Sequence, residues 1–253
     1  MGAASVELQT TIRGRLDEVR QRIDEAARNV GRSPDSVRLV VVTKAQPLSV
    51  VQAAIAAGAR ILGENYAEEA VAKIEAVRQM AGVVHAVEWH MIGHVQSRKA
   101  KLVAPYFDLI HSLDSMKLAQ RLDGLAAESE RRISVLLECN VGGEIAKHGW
   151  DAADRTGWPR LADEMAAVSG LPHLRVMGLM TMPPLATTPE DSRPYFRLLQ
   201  ELRAYLLERV SETDWSELSM GTSSDFSVAV EEGATLVRVG EAIVGTRISR
   251  ETP

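Results

Sequence analysis

RLVVVTKAQP, residues 38–47, is the stretch from which the rest of the chain can be read. Its apolar part, Leu39 to Val42, is short and rich in β-branched residues, which suits a buried strand and is too brief for a helix. The run ends in Thr43-Lys44, and Pro47 blocks further strand while fitting the first turn of a helix. One lysine is thereby placed at the carboxyl end of a buried strand, beside a strand-to-helix loop. Ligands bind at that position in α/β proteins. Desolvation there favours the neutral, nucleophilic amine, which can form a Schiff base with a carbonyl. A lysine snorkelling to solvent as its strand ends is the plainer alternative.

Working outward, residues 5–30 carry Leu8, Ile12, Leu16, Val19, Ile23 and Ala27 at spacings of three and four, the pattern of an amphipathic helix. After residue 43, apolar strands and amphipathic helices alternate. Strands are expected at 38–43, 59–62, 87–92, 107–111, 133–139, 174–179, 215–219 and 236–239. Helices are expected at 47–57, 64–79, 95–102, 114–130, 154–168, 189–211, 223–232 and after Gly240. Regular β-then-α alternation implies right-handed crossovers and a parallel sheet. Eight such units predict an α/β fold, a closed (β/α)8 TIM barrel with one extra N-terminal helix, in a single domain over residues 1–253. A doubly wound open sheet is the competing topology, but it wants a G-x-G-x-x-G after an early strand, and the chain has none.

Composition removes several classes of function. A net charge of −5 offers no basic excess for phosphate backbones, so nucleic acid is not an expected partner. No run approaches the ~20 apolar residues that span a bilayer. The N-terminus lacks the apolar core of a signal peptide, and Met1-Gly2 with Ser5 misses the myristoylation pattern. Cys139 is the only cysteine, which points to a reducing compartment and a cytoplasmic protein.

The strand ends collect polar residues. Strand seven leads through Ser219-Met220-Gly221-Thr222-Ser223 into a helix, and Gly240 opens another directly after strand eight. Hydroxyls and free backbone N–H groups in such places bind anions, and the loops after strands seven and eight are the usual phosphate site of a barrel. Helix capping by Ser223, Ser224 and Asp225 is the competing explanation. Arg238 lies within an apolar strand, so its charge is partly buried and needs a partner, for which Glu231 or Glu232 would serve. His90 and His94 are four apart, but His90 ends a strand and no H-E-x-x-H is present, so no metal is expected.

VVTKAQP, GENYAEEAVAK, WHMIGHVQSRK, GLMTMPP, LSMGTSSDFSVAVEEGATLVRVG and AIVGTR, taken together, resemble the pyridoxal phosphate homeostasis proteins. These are single-domain barrels related to the N-terminal domain of alanine racemase, and the resemblance runs from Ile12 to Arg247. It implies a pyridoxal 5'-phosphate cofactor held as a Schiff base on Lys44. Asn65 would lie beside the ring, Ser219, Ser223 and the backbone at Gly240 would bind the phosphate, and Arg238 would face the pyridine nitrogen. Met220 would pack nearby, with His90 and Met180 further out. Three positions depart from many relatives: Glu241 replaces Thr or Ser, His94 replaces Pro, and Thr222 replaces Met.

A guanidinium can only donate to the pyridine nitrogen, which leaves it unprotonated and the ring a weak electron sink. The resemblance thus implies a monomeric cofactor carrier or buffer that performs no committed catalysis and could supply apo pyridoxal phosphate-dependent enzymes. The absence of room for a second domain after the final helix supports this. The alternative is an amino-acid racemase-like enzyme, with His90, His111 or Tyr66 as acid/base. A sugar-phosphate barrel enzyme using Lys44 is a third reading.

Overall fold

The computed structural model describes residues 3–80 and 87–246. Met1, Gly2 and Arg247, which entered the sequence reading, lie outside them. Eight parallel strands close into a barrel: β1 (Arg38–Val42), β2 (Ile61–Glu64), β3 (Glu88–Met91), β4 (Leu109–Leu113), β5 (Ile133–Asn140), β7 (Leu174–Met180), β8 (Glu217–Ser219) and β9 (Leu236–Val239). Each pairs with the next, and β9 returns to β1 through Arg38 opposite Leu236 and Val40 opposite Arg238. A ninth strand that the sequence did not announce, β6 (Trp150–Asp151), pairs with the end of β5 outside the barrel. Two residues are too few to show a period.

Helices surround the barrel: α2 (Leu48–Ala57), α3 (Ala67–Arg78), α4 (Ala100–Val103), α5 (Met116–Glu128), α6 (Trp158–Ser169), α7 (Arg193–Arg209), α8 (Phe226–Glu231) and α9 (Glu241–Val244). The extra helix, α1 (Ala3–Asn29), packs on α2, α8 and α9. It buries Ile12, Leu16, Val19 and Ile23, each worth roughly 1.5–3 kcal/mol of transfer free energy. Arginines in and just after it satisfy carbonyls left open where other helices end: Arg13 and Arg20 donate to Ala56 and Gly58 at the end of α2, and Arg32, past the end of α1, to Val230 and Ala234 around the end of α8.

Boundaries differ from the expected ones where tertiary crowding decides. The second strand extends through Gly63 and Glu64, because the barrel interior admits a glycine there: a Cβ at Gly63 would stand 2.9 Å from Val40 Cγ1. The predicted helix 95–102 is a 3-10 turn at Ser97–Lys99 followed by the single turn of α4. At Gly178 the strand β7 passes so close to β8 that an added Cβ would meet Glu217 O at 1.9 Å, and φ is +151°. No helix among the described residues is long and apolar enough to cross a membrane.

The hydrophobic core has two parts. One lies between barrel and helices, and a smaller one of Val40, Ile61, Leu109, Leu136, Met180 and Leu236 fills the barrel itself. Polar side chains share that interior, and they lead up to the site.

Candidate functional site

Strand β1 delivers Lys44 to the mouth at the C-terminal ends of the strands. The turn that presents it is tightly held. Ala45 has φ +57°, a left-handed conformation that costs a non-glycine residue of order 1–3 kcal/mol. Its N–H donates to Glu69 Oε1 at 2.9 Å, while Gln46 N–H donates to Thr43 O at 3.1 Å. Beneath the turn lies a buried ionic cluster. Lys73 Nζ, on α3, donates to Thr43 O (2.7 Å) and Glu64 Oε1 (2.8 Å) and meets Glu69 Oε1 at 2.6 Å. The Thr43 hydroxyl donates to the same Glu64 oxygen at 2.7 Å. Burial raises the pKa of Glu64, and the Lys73 ammonium opposes that rise. Glu64, at the start of the predicted helix 64–79, is the buried counter-ion of the turn that carries Lys44.

Lys44 opens on a cleft of about 500 Å3. Val42, Asn65, Ile92, His94, Glu138, Met182, Thr222, Ser223, Ser224, Arg238 and Glu241 share its walls. Arg238 is 3% exposed and reaches the cleft from below. Nη1 donates to Ser219 Oγ at 2.5 Å, and Nη2 to Thr181 O at 2.9 Å and to Met182 Sδ at 2.8 Å. Burial lowers its pKa to about 10, which still leaves it charged at neutral pH. The expected bridge to Glu231 or Glu232 does not form, because those carboxylates hold Arg193 and Arg197 on the outer face.

A chain of hydrogen bonds descends from Arg238 through the barrel axis. Ser219 Oγ lies 2.8 Å from His111 Nδ1, and His111 Nε2 lies 2.9 Å from His90 Nδ1. His90 Nε2 is 3.4 Å from Glu88 Oε2, beside Arg38 at the far end. Burial lowers the pKa of both imidazoles, so both are neutral. Polarity then runs one way. Arginine only donates, so Ser219 accepts from it and donates to His111 Nδ1, His111 Nε2–H donates to His90 Nδ1, and His90 Nε2–H points at Glu88. The guanidinium is fixed in position by groups it cannot exchange with water.

The loop after β8 turns at Gly221, where φ is +90° and a Cβ would stand 2.5 Å from Ala229 Cβ. Asp225 accepts from Thr222 N–H at 2.6 Å and from Ser192 Oγ at 2.8 Å, so it holds the turn. Ser223 Oγ is left on the cleft and accepts from Gly240 N–H at 3.3 Å. Gly240 sits where a Cβ would press Val42 Cβ and O at 3.2 Å.

Of the predicted residues, Lys44, Asn65, Ser223 and Arg238 line the cleft, and Gly240 borders it through Ser223. Four others are elsewhere. Ser219 is wholly buried with its hydroxyl engaged by Arg238 and His111, so it positions the arginine and is not a free donor for phosphate. Met220, one step along the strand, faces the opposite way into the outer core. Met180 packs inside the barrel, and His90 lies deeper, behind His111. Tyr66 is 52% exposed and lines an adjoining pocket that shares Asn65, Gly93 and His94 with the cleft. Glu138 and Met182 were not singled out. Glu138 had a readable signal, since it lies two residues from Leu136 and so on the barrel face of β5. Its pKa is pushed up to about 7 by burial and by the nearby Asp114. Glu138 Oε2 and Asn65 Oδ1 are buried without a partner in the described structure, and both belong to cleft residues.

Fold and cleft together define a (β/α)8 barrel whose mouth gathers a lysine, a fixed arginine and a hydroxyl-bearing loop. Residues 15–248 match the family described as alanine racemase, N-terminal domain. The chain is 39% identical over 233 residues to the pyridoxal phosphate homeostasis protein of Aquifex aeolicus, covering 92% of this chain and 97% of that one. It is 37% identical over 232 residues to that of Escherichia coli K12, covering 92% and 95%. PipY of Synechococcus elongatus PCC7942, solved with PLP bound, superposes with TM-score 0.78 at 35% identity, over 92% of this chain and all of that one. An alanine racemase from Clostridium difficile 630 shares the fold, with TM-score 0.65 at 14% identity, over 96% of this chain and 59% of that one. The chain therefore belongs to the pyridoxal phosphate homeostasis proteins, within the alanine racemase N-terminal domain family.

Proposed function

We propose that the protein binds pyridoxal 5'-phosphate in the Lys44 cleft and serves its homeostasis as a carrier or buffer. The observation that carries this is the convergence on one cleft of Lys44, the immobilised Arg238 and the Ser223–Gly240 edge. The residues present fit the cofactor. An aldehyde needs an amine, which Lys44 supplies. A phosphate needs hydroxyls and backbone N–H groups: Ser223 and Ser224 supply hydroxyls on the cleft wall, and the Gly240 N–H, which donates to Ser223 Oγ, stands beside them. Asn65 Oδ1 is a buried acceptor without a partner beside Lys44. When bound, the cofactor supplies an electrophilic carbon and an electron sink. Arg238 can only donate toward the ring nitrogen, which restrains that sink. Glu241, on the same wall, brings a carboxylate toward the phosphate position and favours release over very tight retention.

The expected absence of committed catalysis rests on Arg238 and on where the sequence-nominated acid/base groups lie. His90 and His111 are neutral and occupied in the barrel interior, and Tyr66 is half exposed in an adjoining pocket rather than on the cleft wall itself. One observation favours the alternative of a weak amino-acid racemase: Glu138, with its pKa near 7, shares the cleft with Lys44. A cytoplasmic monomer that delivers the cofactor to apo-enzymes completes the proposal; of this, the single buried cysteine supports only the reducing compartment.

The test is the absorbance spectrum of the protein mixed with pyridoxal phosphate, beside Lys44→Ala. A band of lysine-linked cofactor that is absent in the variant is the expected result. Equal spectra would overturn the assignment. Racemisation of alanine or serine that disappears in Glu138→Gln would move the protein into the enzyme class.

A further inference from the structure

Three loops at the rim of the barrel bring together side chains that the cofactor reading does not use. His94 follows β3, Asp114 follows β4, and His148 lies between β5 and β6. One ligand atom from each lies within 4.8 Å of the other two. His94 Nδ1 is 2.8 Å from Asp114 Oδ2, and His148 Nδ1 is 3.8 Å from the same oxygen. The two imidazoles stack almost parallel, with centroids 3.7 Å apart and planes inclined by 8°.

We propose that His94, Asp114 and His148 form a binding site for a borderline divalent transition-metal ion of the zinc class, with water completing the coordination. Two imidazole nitrogens and one carboxylate oxygen are the donor set such ions prefer. With metal–ligand bonds of about 2.0–2.1 Å, tetrahedral ligands stand about 3.4 Å apart. The observed 2.8 and 3.8 Å straddle that spacing, so small side-chain rotations admit the ion.

Hydrogen bonding alone does not account for the arrangement. At 3.8 Å, His148 is beyond hydrogen-bond reach of the carboxylate, yet its Nδ1 faces it. His94 Nδ1–H donates to Asp114 Oδ2, and a bound ion would take the place of that proton, with the Nδ1 of both rings toward it.

The surroundings hold the Asp114 carboxylate and the backbone that carries the two histidines. Ser115 Oγ donates to Asp114 Oδ1 at 2.9 Å, leaving Oδ2 to face the rings, and the Asp114 side chain is only 8% exposed. The carbonyl before His94, on Gly93, accepts from Ser112 Oγ at 2.6 Å. The loop bearing His148 is fastened by Asn140 Nδ2 to Glu144 O at 2.8 Å, by Lys147 Nζ to Pro183 O at 2.8 Å, and by the β5–β6 pairing. An ion there ties the 141–149 loop to the rim on which Asn65 and His94 stand. His90, the histidine that sequence spacing pairs with His94, takes no part; it lies inside the barrel.

The experiment is a calorimetric titration of the metal-free, cofactor-free full chain with zinc chloride, with cobalt(II) spectra in parallel. One equivalent binding with visible bands of four- or five-coordinate cobalt is the expected result. His148→Ala and His94→Ala should each weaken binding at least about tenfold. His148 is 56% exposed on its side chain, so its replacement leaves the fold intact. His173→Ala, beside Asp123 and remote from the cluster, should leave affinity unchanged. Lys44→Ala should bind zinc as the parent does, because Lys44 is not a ligand although His94 also lines its cleft. Zinc affinity that is undetectable, or that is the same in the parent and in both His94→Ala and His148→Ala, would overturn the proposal.

Discussion

Replacing Lys73 by methionine tests the argument that a buried ion pair holds the turn of Lys44. Lys73 is 6% exposed on its side chain and Glu64 is 0% exposed. Methionine keeps the stem and removes the ammonium, so Glu64 Oε1 retains only the Thr43 hydroxyl among its side-chain partners named above. A buried carboxylate stripped of its cation costs about 3–5 kcal/mol. For a chain of this size that lowers Tm by about 6–20 °C. Urea denaturation followed by far-ultraviolet circular dichroism measures it directly. The double variant Glu64→Gln/Lys73→Met removes both charges and should recover about 2 kcal/mol of the loss, because no uncompensated ion remains. The pH dependence carries a sign. Burial raises the Glu64 pKa above its unfolded value, and losing Lys73 removes the main influences opposing that rise. Protonation therefore relieves the defect, and the deficit of Lys73→Met should shrink as the pH is lowered from neutral. A single variant within about 1 kcal/mol of the parent at about pH 8, or a double variant no better than the single, would refute the reasoning.

Glu138 gives a second pH signature. Its pKa rises from 4.5 unfolded to about 7 folded, so its stabilising contribution is present below pH 4.5 and lost as pH rises through about 7. Glu138→Gln should therefore gain on the parent by up to roughly 3 kcal/mol across that window, and a flat difference between the two stability profiles would contradict the assignment. Gly178→Ala should fail to give folded barrel, judged by yield and near-ultraviolet circular dichroism, because its Cβ would meet the Glu217 carbonyl at 1.9 Å. Soluble Gly178→Ala of parental stability would show that β7 and β8 can separate there.

Much of the fold was legible because it is periodic and local. The three-and-four spacing of Ile12, Leu16, Val19 and Ile23 marks α1, and the β-branched run before Thr43 marks β1. Eight alternations then leave few topologies. Lys44 was legible for the same reason: a strand end next to a proline is a local signal. Edges were less so. Glu64 reads as the start of a helix, yet it completes β2, because its partner Lys73 and the closing barrel outweigh local preference. Lys73 itself carried a faint signal, a charged residue among Ala70, Ile74 and Val77 on the inner stripe of α3.

The sequence by itself determined the alternating architecture, the position of the lysine and the family. These depend on neighbours within a few residues, or on motifs taken whole. Only the tertiary structure decided what each polar residue does. Ser219 and Ser223 are four apart in one loop motif, yet Ser219 turns into the barrel to hold Arg238 and Ser223 faces the cleft. Arg238 finds Ser219 and Thr181 in place of the nearer glutamates. His94 meets Asp114 and His148, residues 20 and 54 positions later, because consecutive βα units bring their loops to one rim. Barrel closure makes neighbours of residues that no window of sequence contains, and burial then fixes which of their charges persist.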